Sequence, residues 1–280
     1  MNPQRIYEQY RDDALAALIT AKSYKTFVAM PFGQRFSYRQ KEVYENVIQA
    51  AARRAADLGS ATREFDPPRR TDDTGIAAAV ITEEIVVQIL DSHFFIADLT
   101  NENPGVLLET GIAMGLKANT AIILITQDHL SDLHFDLRNN NVISYNSPDA
   151  VEIIAKAFIA CARTFEEQSN SYVKAVAASL TPDAIVCLKW YGEQQRFHPG
   201  QSLHAGVAGP IFAALNPPPT AGANLEIRFV SATRELLQKR LLRTDYNVAA
   251  VAAGDTFGMH ASALGWVFMK QMWGYERRAE

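Results

Sequence analysis

Residues 94–115 read FFIADLTNENPGVLLETGIAMG. The stretch opens as an unbroken apolar run, Phe94 to Ala97, closed by Asp98. A polar turn with Asn101, Asn103 and Pro104 follows, and then a helix-period segment carries Glu109 in its first half. A run that is apolar at every position is the pattern of a parallel strand covered on both faces. Ligands of open α/β sheets sit beyond the carboxyl ends of such strands. Asp98 falls at that end and Glu109 just past it, among Val106, Leu107, Leu108 and Ile112. Two carboxylates in one crevice are the equipment for acid–base or nucleophilic chemistry at a sugar carbon.

The same grammar extends to both sides. Tyr24 to Met30 (YKTFVAM) reads as a strand closed by Pro31, Phe32 and Gly33, and Tyr38 to Leu58 as a long helix with Val43, Val47 and Ala51 on one face. Arg63 to Thr74 reads as a polar loop and Ile76 to Leu90 as helix. Ala121 to Thr126 (AIILIT) is a strand, Phe135 to Tyr145 leads into a short strand around Val142 and Ile143, and Asp149 to Phe165 is an amphipathic helix. Strands alternating with helices predict an α/β domain with a Rossmann- or flavodoxin-like parallel sheet flanked by helices. Ile6 to Leu18 has helical apolar spacing and reads as a leader helix. Glu166 to Tyr172 (EEQSNSY) is polar and weakly patterned, which sets the expected domains at 1–168, leader helix included, and 173–280.

The second half has a different pattern. Thr181 to Tyr191 reads as a helix with Thr181 as N-cap and Pro182 in its first turn. Gly206 to Leu215 is a second short helix, ended by the turn Asn216 to Pro219. Ser231 to Leu242 is a third, with Ser231 as its N-cap. A β-prone stretch from Asp245, the Gly254–Gly258 turn and a largely helical Met259 to Trp273 close the chain.

Composition narrows the setting. The 280 residues are 48% hydrophobic and 21% charged, ordinary for a globular protein, with a net charge of −4. That charge gives no global basic field, so nucleic-acid contact requires a local patch. The polar N-terminus carries no signal peptide and no apolar run reaches membrane-spanning length, which reads as a cytoplasmic protein without membrane contact. Cys161 and Cys187, each in apolar helical sequence, read as buried thiols. His198, His204 and His260 are scattered without metal-ligand spacing, and neither a metal nor a cofactor is expected. No dinucleotide-binding glycine motif and no Walker pattern is present.

Each site candidate has a structural alternative. The Met30–Pro31–Phe32–Gly33 turn presents backbone amides to a phosphate or base, or is an ordinary strand-to-helix turn. Thr100, Asn101 and Asn103 offer donors and acceptors for ribose hydroxyls, or serve turns and caps, the reading favoured for Asn101. Asp98 is an acid–base group or a helix cap. Glu109, in apolar company, faces a polar cavity or pairs with an arginine such as Arg138.

The ordered elements FVAMPFG, Ile81-x3-Ile85-x3-Ile89, IADLTNENPGVLLETGIAMG and FDLR (Phe135 to Arg138) resemble the nucleoside 2-deoxyribosyltransferase-like proteins, a superfamily related to TIR-type NAD-cleaving domains. The resemblance covers residues 24–146. It implies cleavage of the N-glycosidic bond of a nucleoside, nucleotide or NAD-like substrate. Glu109 would then be the carboxylate that attacks or stabilises C1′, and Asp98 the acid that positions or protonates the base. Pro31 and Phe32 would pack on the ligand. Met30, Gly33, Thr100, Asn103 and Arg138 complete the expected substrate contacts. Two positions depart from the pattern: Leu108 stands where many relatives have an aromatic residue, and Gly105 replaces the second amide of an N-P-N turn. Both touch the expected pocket wall. Some members of the group bind nucleotides without cleaving them, which keeps a sensor role open.

The closing segment HASALGWVFMKQMWG resembles the finish of winged-helix domains, so a smaller winged-helix-like α+β domain is expected there. Arg234, Lys239 and Arg240 would then contact DNA or a protein partner, although the same residues fit a solvated helix face. A deoxyribosyltransferase-like domain joined to a winged helix resembles effectors of bacterial retron antiphage defence systems. Enzymes of the resembled group often complete their pocket with a neighbouring subunit. Together with the apolar leader (Ile6, Tyr7, Tyr10) and aromatic tail (Trp266, Phe268, Trp273, Tyr275), this predicts a homo-oligomer.

Overall fold

A computed structural model describes residues 3–32, 38–70, 81–197, 225–245 and 258–275. The chain divides into two compact units, Ala21–Ser169 and Met1–Thr20 with Asn170–Glu280. The leader helix α1 (Pro3–Thr20) belongs to the second unit, whereas the sequence reading attached it to the α/β domain. There it lies against the last helix of the chain, with Ala14, Ala16, Leu18 and Ile19 buried. Helical spacing marks an apolar face; it does not say which distant surface that face meets.

The α/β unit runs β1 (Ser23–Tyr24), β2 (Thr26–Ala29), α2 (Gln40–Val43), α3 (Gln49–Asp57), β3 (Glu64–Phe65), β4 (Arg69–Arg70), α4 (Ile81–Leu90), β5 (Phe94–Asp98), α5 (Pro104–Leu116), β6 (Ile122–Thr126), α6 (Phe135–Arg138), β7 (Val142–Ser144) and α7 (Ala150–Ser179). Five strands form one parallel sheet in the order β4-β2-β5-β6-β7. Numbered along the sheet strands alone this is 2-1-3-4-5, the flavodoxin-like doubly wound order, so the fold is Rossmann-like α/β. The central strand β5 and its neighbour β2 are buried at every position, as strands covered on both faces are.

Strand alternation sends side chains to two layers. Phe27, Ala29, Phe95, Ala97 and Leu124 pack with Ile85 and Ile89 of α4 and Val106 and Ala113 of α5. Val28, Phe94, Ile96, Ile123 and Ile125 pack with Ile48, Ala51, Ala52 and Ala55, and with Ile154, Ala155 and Phe158 of α7. At about 25 cal/mol per Å² of apolar surface, these two layers are the main stabilising term of the unit.

Three expectations change. The stretch read as the Arg63–Thr74 loop contains β3 and the edge strand β4, two-residue strands too short to show a period; residues 71–74 lie outside those described. The helix after β2 is not continuously α: a π-turn (Tyr44–Ile48) separates α2 from α3. The buried positions are therefore Val43, Ile48, Ala51, Ala52 and Ala55, with the stripe displaced one residue after Val43, and Val47 only partly buried. Finally, Glu166 to Tyr172 is helical. It continues α7 without a break to Ser179, because polar residues that are neither Gly nor Pro leave helix propagation intact.

The second unit continues with α8 (Pro182–Phe197), α9 (Leu225–Gln238), β8 (Leu242–Asp245), β9 (Gly258–Ala261) and α10 (Ala263–Trp273). Thr181 caps α8, its Oγ1 accepting the Ala184 N–H at 3.2 Å, with Pro182 next in line. Ser231 lies inside α9 and does not cap it, since the helix already starts at Leu225. β8 and β9 pair antiparallel. The expected Gly206–Leu215 helix, the Asn216–Pro219 turn and the stretches 246–257 lie outside the described residues. Phe268 is buried, and Trp266, Trp273 and Tyr275 pack against the core of Tyr191, Phe229, Leu236 and Met269. The aromatic tail thus serves this unit's own interior. Both cysteines are free and buried, and burial pushes each thiol up to about 12. Among the described residues, no single helix is long and apolar enough to cross a membrane.

The start of α10 is a close approach. Ser262 caps the helix by accepting the Gly265 N–H at 2.9 Å, and a Cβ on Gly265 would stand 2.1 Å from the Leu241 carbonyl oxygen. Gly111, exposed on α5, has nothing within 4 Å of the same position. Gly265→Ala is expected to cost about 1–3 kcal/mol, and Gly111→Ala to add roughly 0.5–1 kcal/mol. Urea unfolding midpoints of the two variants should move in opposite directions.

Candidate functional site

The sheet order reverses between β2 and β5, and the crevice outside the carboxyl ends of those strands is where open α/β sheets bind ligands. Met30 and Pro31 leave β2 buried, and Phe32 is 59% exposed. Gly33 lies outside the described residues. β5 ends at Asp98, whose side chain is 0% exposed.

A buried carboxyl must find donors. The Asp98 Oδ1 accepts the Thr100 N–H at 3.1 Å and its hydroxyl at 2.6 Å, and Oδ2 accepts the Tyr38 hydroxyl at 2.7 Å and the Tyr145 hydroxyl at 3.0 Å. Thr100 Oγ1 lies 2.9 Å from the Tyr145 hydroxyl and accepts the Gln127 N–H at 2.9 Å. Tyr38 precedes α2 and Tyr145 follows β7, so the two phenols reach Asp98 from opposite sides. Burial raises the Asp98 pKa, and the hydrogen bonds from Thr100, Tyr38 and Tyr145 counter that rise. Burial, reinforced by the Asp98 charge, holds both phenols above their ordinary value. Asp98 is not a cap of α5; Asn103 is, with Oδ1 accepting the N–H groups of Gly105 (3.0 Å) and Val106 (3.3 Å). The Asn103 oxygen is therefore committed to the helix, and its role as a ligand contact is reduced to the amide nitrogen.

The loop between Asp98 and α5 is strained and braced. Asn101 and Glu102 both have positive φ (59° and 43°), a conformation that costs non-glycine residues energy and is held only by surrounding contacts. Asp128 accepts the Asn101 N–H at 2.6 Å, and Glu102 accepts the His134 N–H at 2.5 Å. The carboxyl ends of β5 and β6 are thereby tied together.

Glu109 occupies a different layer. Asp98 shares its sheet face with Ile96 and Ile125, whereas α5 covers the opposite face. The two carboxylates make no contact with each other; what they share is the carboxyl edge of the sheet. Glu109 lies beside the buried stripe Val106, Thr110, Ala113, about 7 Å along α5 from its start at ~1.5 Å per residue. Its side chain leans back towards that start, since helical Cα–Cβ bonds tilt to the N-terminus. Burial alone pushes its carboxyl up to about 7. No ion pair with Arg138 is described: Arg138 closes α6, and its side chain lies outside the described residues.

The basic residues of the second unit are largely engaged within it. The Lys239 Nζ donates to Ser179 Oγ at 2.8 Å, and Arg240 donates to both oxygens of Asp12 at 2.9 and 3.1 Å. Both follow α9 and are not on it, and Arg240 itself has φ +59°. Arg234 is exposed, on the same helix surface as the exposed Ile227 and Val230. Arg228 pairs with Asp183, and Glu235 accepts the Thr181 N–H and hydroxyl. Among the described residues, no group of three His, Cys, Asp or Glu is placed to hold a metal ion. An open cavity of about 520 Å³, lined in part by Lys22, Gly59, Thr62 and Glu64, lies at the amino ends of β1 and β3, away from the carboxyl edge. The sheet rule and the buried acid favour the opposite edge as the site.

Tyr38 and Tyr145 were not singled out in the sequence. Their signal was indirect: a strand ending in an aspartate needs donors, and tyrosines beside neighbouring strand ends supply them. Compared with known proteins, the chain matches no family model, no curated protein and no solved structure.

The raised Glu109 pKa has a sign for stability. A carboxyl ordinarily near 4.5 and lifted to about 7 binds a proton in the folded state that the unfolded chain releases between those values. Stability from this group is full at the acid end and is lost as pH rises towards 7. Glu109→Gln should raise the unfolding free energy from urea titration at about pH 8 by roughly 1–3 kcal/mol, and leave it nearly unchanged at about pH 4.5.

Proposed function

We propose that the α/β unit cleaves the N-glycosidic bond of a nucleoside, nucleotide or NAD-like substrate, by hydrolysis or base transfer, with Glu109 as the carboxylate that meets C1′. The observation that carries the proposal is Glu109: a carboxyl half-buried beside an apolar stripe, with no hydrogen-bond or ion-pair partner among the described residues. Desolvated carboxylates without partners cost stability and are retained where chemistry needs them. The resemblance of residues 24–146 to the deoxyribosyltransferase-like proteins points to the same residue. Asp98, sealed and fully hydrogen-bonded, acts inside the wall of the site and not on its surface.

In this reading the sugar lies over the carboxyl edge between β2 and β5. Ionised Glu109 attacks C1′ or stabilises the positive charge that develops there as the base departs, and a water or an acceptor base completes the reaction. Met30 and Pro31 floor the β2 side, and the exposed Phe32 offers a ring to the ligand. The second unit is an interaction module. With Lys239 and Arg240 held inside it, contact through Ile227 and Val230 fits a protein partner better than DNA.

Incubation with deoxynucleosides, ribonucleosides, their monophosphates and NAD, followed by chromatography for free base, tests the reading. Glu109→Gln should lower turnover by about 100-fold or more. The wild-type kcat/KM should fall as pH drops through about 7, because the protonated Glu109 carboxyl cannot serve. Thermal stabilisation by a nucleotide with no base release from any substrate would instead indicate a sensor.

A further inference from the structure

The cluster around Asp98 holds more contacts than its hydroxyl protons can fill. Tyr38, Tyr145 and Thr100 bring one hydroxyl proton each. Four contacts need one: Tyr38 to Oδ2 at 2.7 Å, Tyr145 to Oδ2 at 3.0 Å, Thr100 to Oδ1 at 2.6 Å, and Thr100 to Tyr145 at 2.9 Å. The backbone N–H groups of Thr100 and Gln127 use their own protons and relieve none of these. With Asp98 ionised, one oxygen–oxygen contact has no proton between its atoms. With one proton on Asp98 every contact is filled: Asp98 Oδ2 donates to Tyr145, Tyr145 to Thr100, and Thr100 back to Asp98 Oδ1, a closed ring, while Tyr38 donates to Oδ2 from outside it.

We infer that the Tyr38–Asp98–Thr100–Tyr145 cluster stores one proton on Asp98 at neutral pH and delivers it through the Tyr145 hydroxyl. Of the four side chains, Tyr145 is the partly exposed one; Asp98, Tyr38 and Thr100 are 0%, 1% and 2% exposed. Tyr145 therefore positions the exit, and Asp98 acts through it. Burial of Asp98 favours the neutral form. Among the described residues, the charged groups that act on the cluster are Arg70, on Tyr38 from the β4 side, and Asp128, on Tyr145 from the β6 side. They oppose each other in sign.

The step rests on the glycosidic reading above. The C1′–N bond breaks and its electron pair goes to the base nitrogen. That nitrogen takes the Tyr145 proton as Tyr145 takes the Asp98 proton, so no phenolate forms. Asp98 is left as a carboxylate that accepts from Thr100 N–H, Thr100 Oγ1, Tyr38 and Tyr145, and the Thr100–Tyr145 contact is then the one without a proton, which the next proton taken up by Asp98 fills again. A neutral nucleobase needs such a proton to leave; nicotinamide, leaving from a pyridinium, does not.

Infrared spectra of the full chain labelled with carbon-13 aspartate, at about pH 7, test the stored proton directly. A protonated-carboxyl band that shifts with the label and is lost in Asp98→Asn is expected. If that variant does not fold, Tyr145→Phe serves in its place: two hydroxyl protons then fill the two remaining contacts with Asp98 ionised, so the band should weaken or vanish. Absence of the band from the wild-type chain overturns the proposal. Tyr145→Phe should also slow release of neutral bases by about 100-fold while changing nicotinamide release less than about twofold. Undiminished release of a neutral base overturns delivery through Tyr145. A band without base release from any substrate upholds the stored proton and overturns the glycosidic reading instead.

Discussion

A carboxyl group taken wholly out of water at the end of the central strand is the constraint around which the carboxyl edge of the sheet is built. Leaving it unpaired would cost about 1–3 kcal/mol or more, so its donors cannot be incidental. They come from separate parts of the chain: Tyr38 ahead of α2, Thr100 just beyond β5, Tyr145 beyond β7, and Gln127 beyond β6 by way of Thr100. Satisfying one acid therefore fixes three neighbouring strand ends and the entry to the first covering helix. The strained Asn101–Glu102 turn, held by Asp128 and the His134 amide, is the rigid link from that knot to α5.

The two carboxylates that the sequence sets eleven residues apart are treated in opposite ways. Both are raised by desolvation, but among the described residues Asp98 is surrounded by donors and Glu109 is not. Environments that separate two like groups in this manner assign them different duties. The first is part of the frame, held by hydroxyl groups from three parts of the chain; the second lies on the covering helix with its pKa raised by burial alone. The same economy governs the second unit, where Arg228, Glu235 and Lys239 clamp the α7–α8 corner, leaving a mostly uncharged stretch of α9 at the surface.

Much of the sheet was legible because a strand buried on both faces has a simple signature. Phe94 to Asp98 and Ile122 to Thr126 declare themselves by unbroken apolarity, and Thr181 with Pro182 declares a helix start. The short strands β3 and β4 were hidden, since two residues carry no period and pairing is decided by the neighbour. The placement of α1 was hidden for the same reason: an amphipathic face has no address. At the site, Asp98 and Glu109 stood out as charges in apolar company. Their different layers followed from strand parity, Asp98 falling on the face of Ile96, a rule that the sequence contained once the strand register was known. Tyr38 and Tyr145 were opaque because phenols are common in cores and only the fold reveals what their hydroxyls reach.

The π-turn at Tyr44–Ile48 gives the helix that follows β2 a place where length is not critical. An α-helix has a fixed phase: adding or removing one residue turns everything beyond it by about 100° and would swing Ala51 and Ala55 off the sheet. Here one residue more than an α-turn is already accommodated, with Val43 before the turn and Ile48 at its end both buried. Loss of a single residue within this turn would convert it to ordinary helix and leave both halves seated. Tyr44 ties this turn back to the Pro68 carbonyl, so the point where the helix changes phase is anchored to the residue that leads into β4.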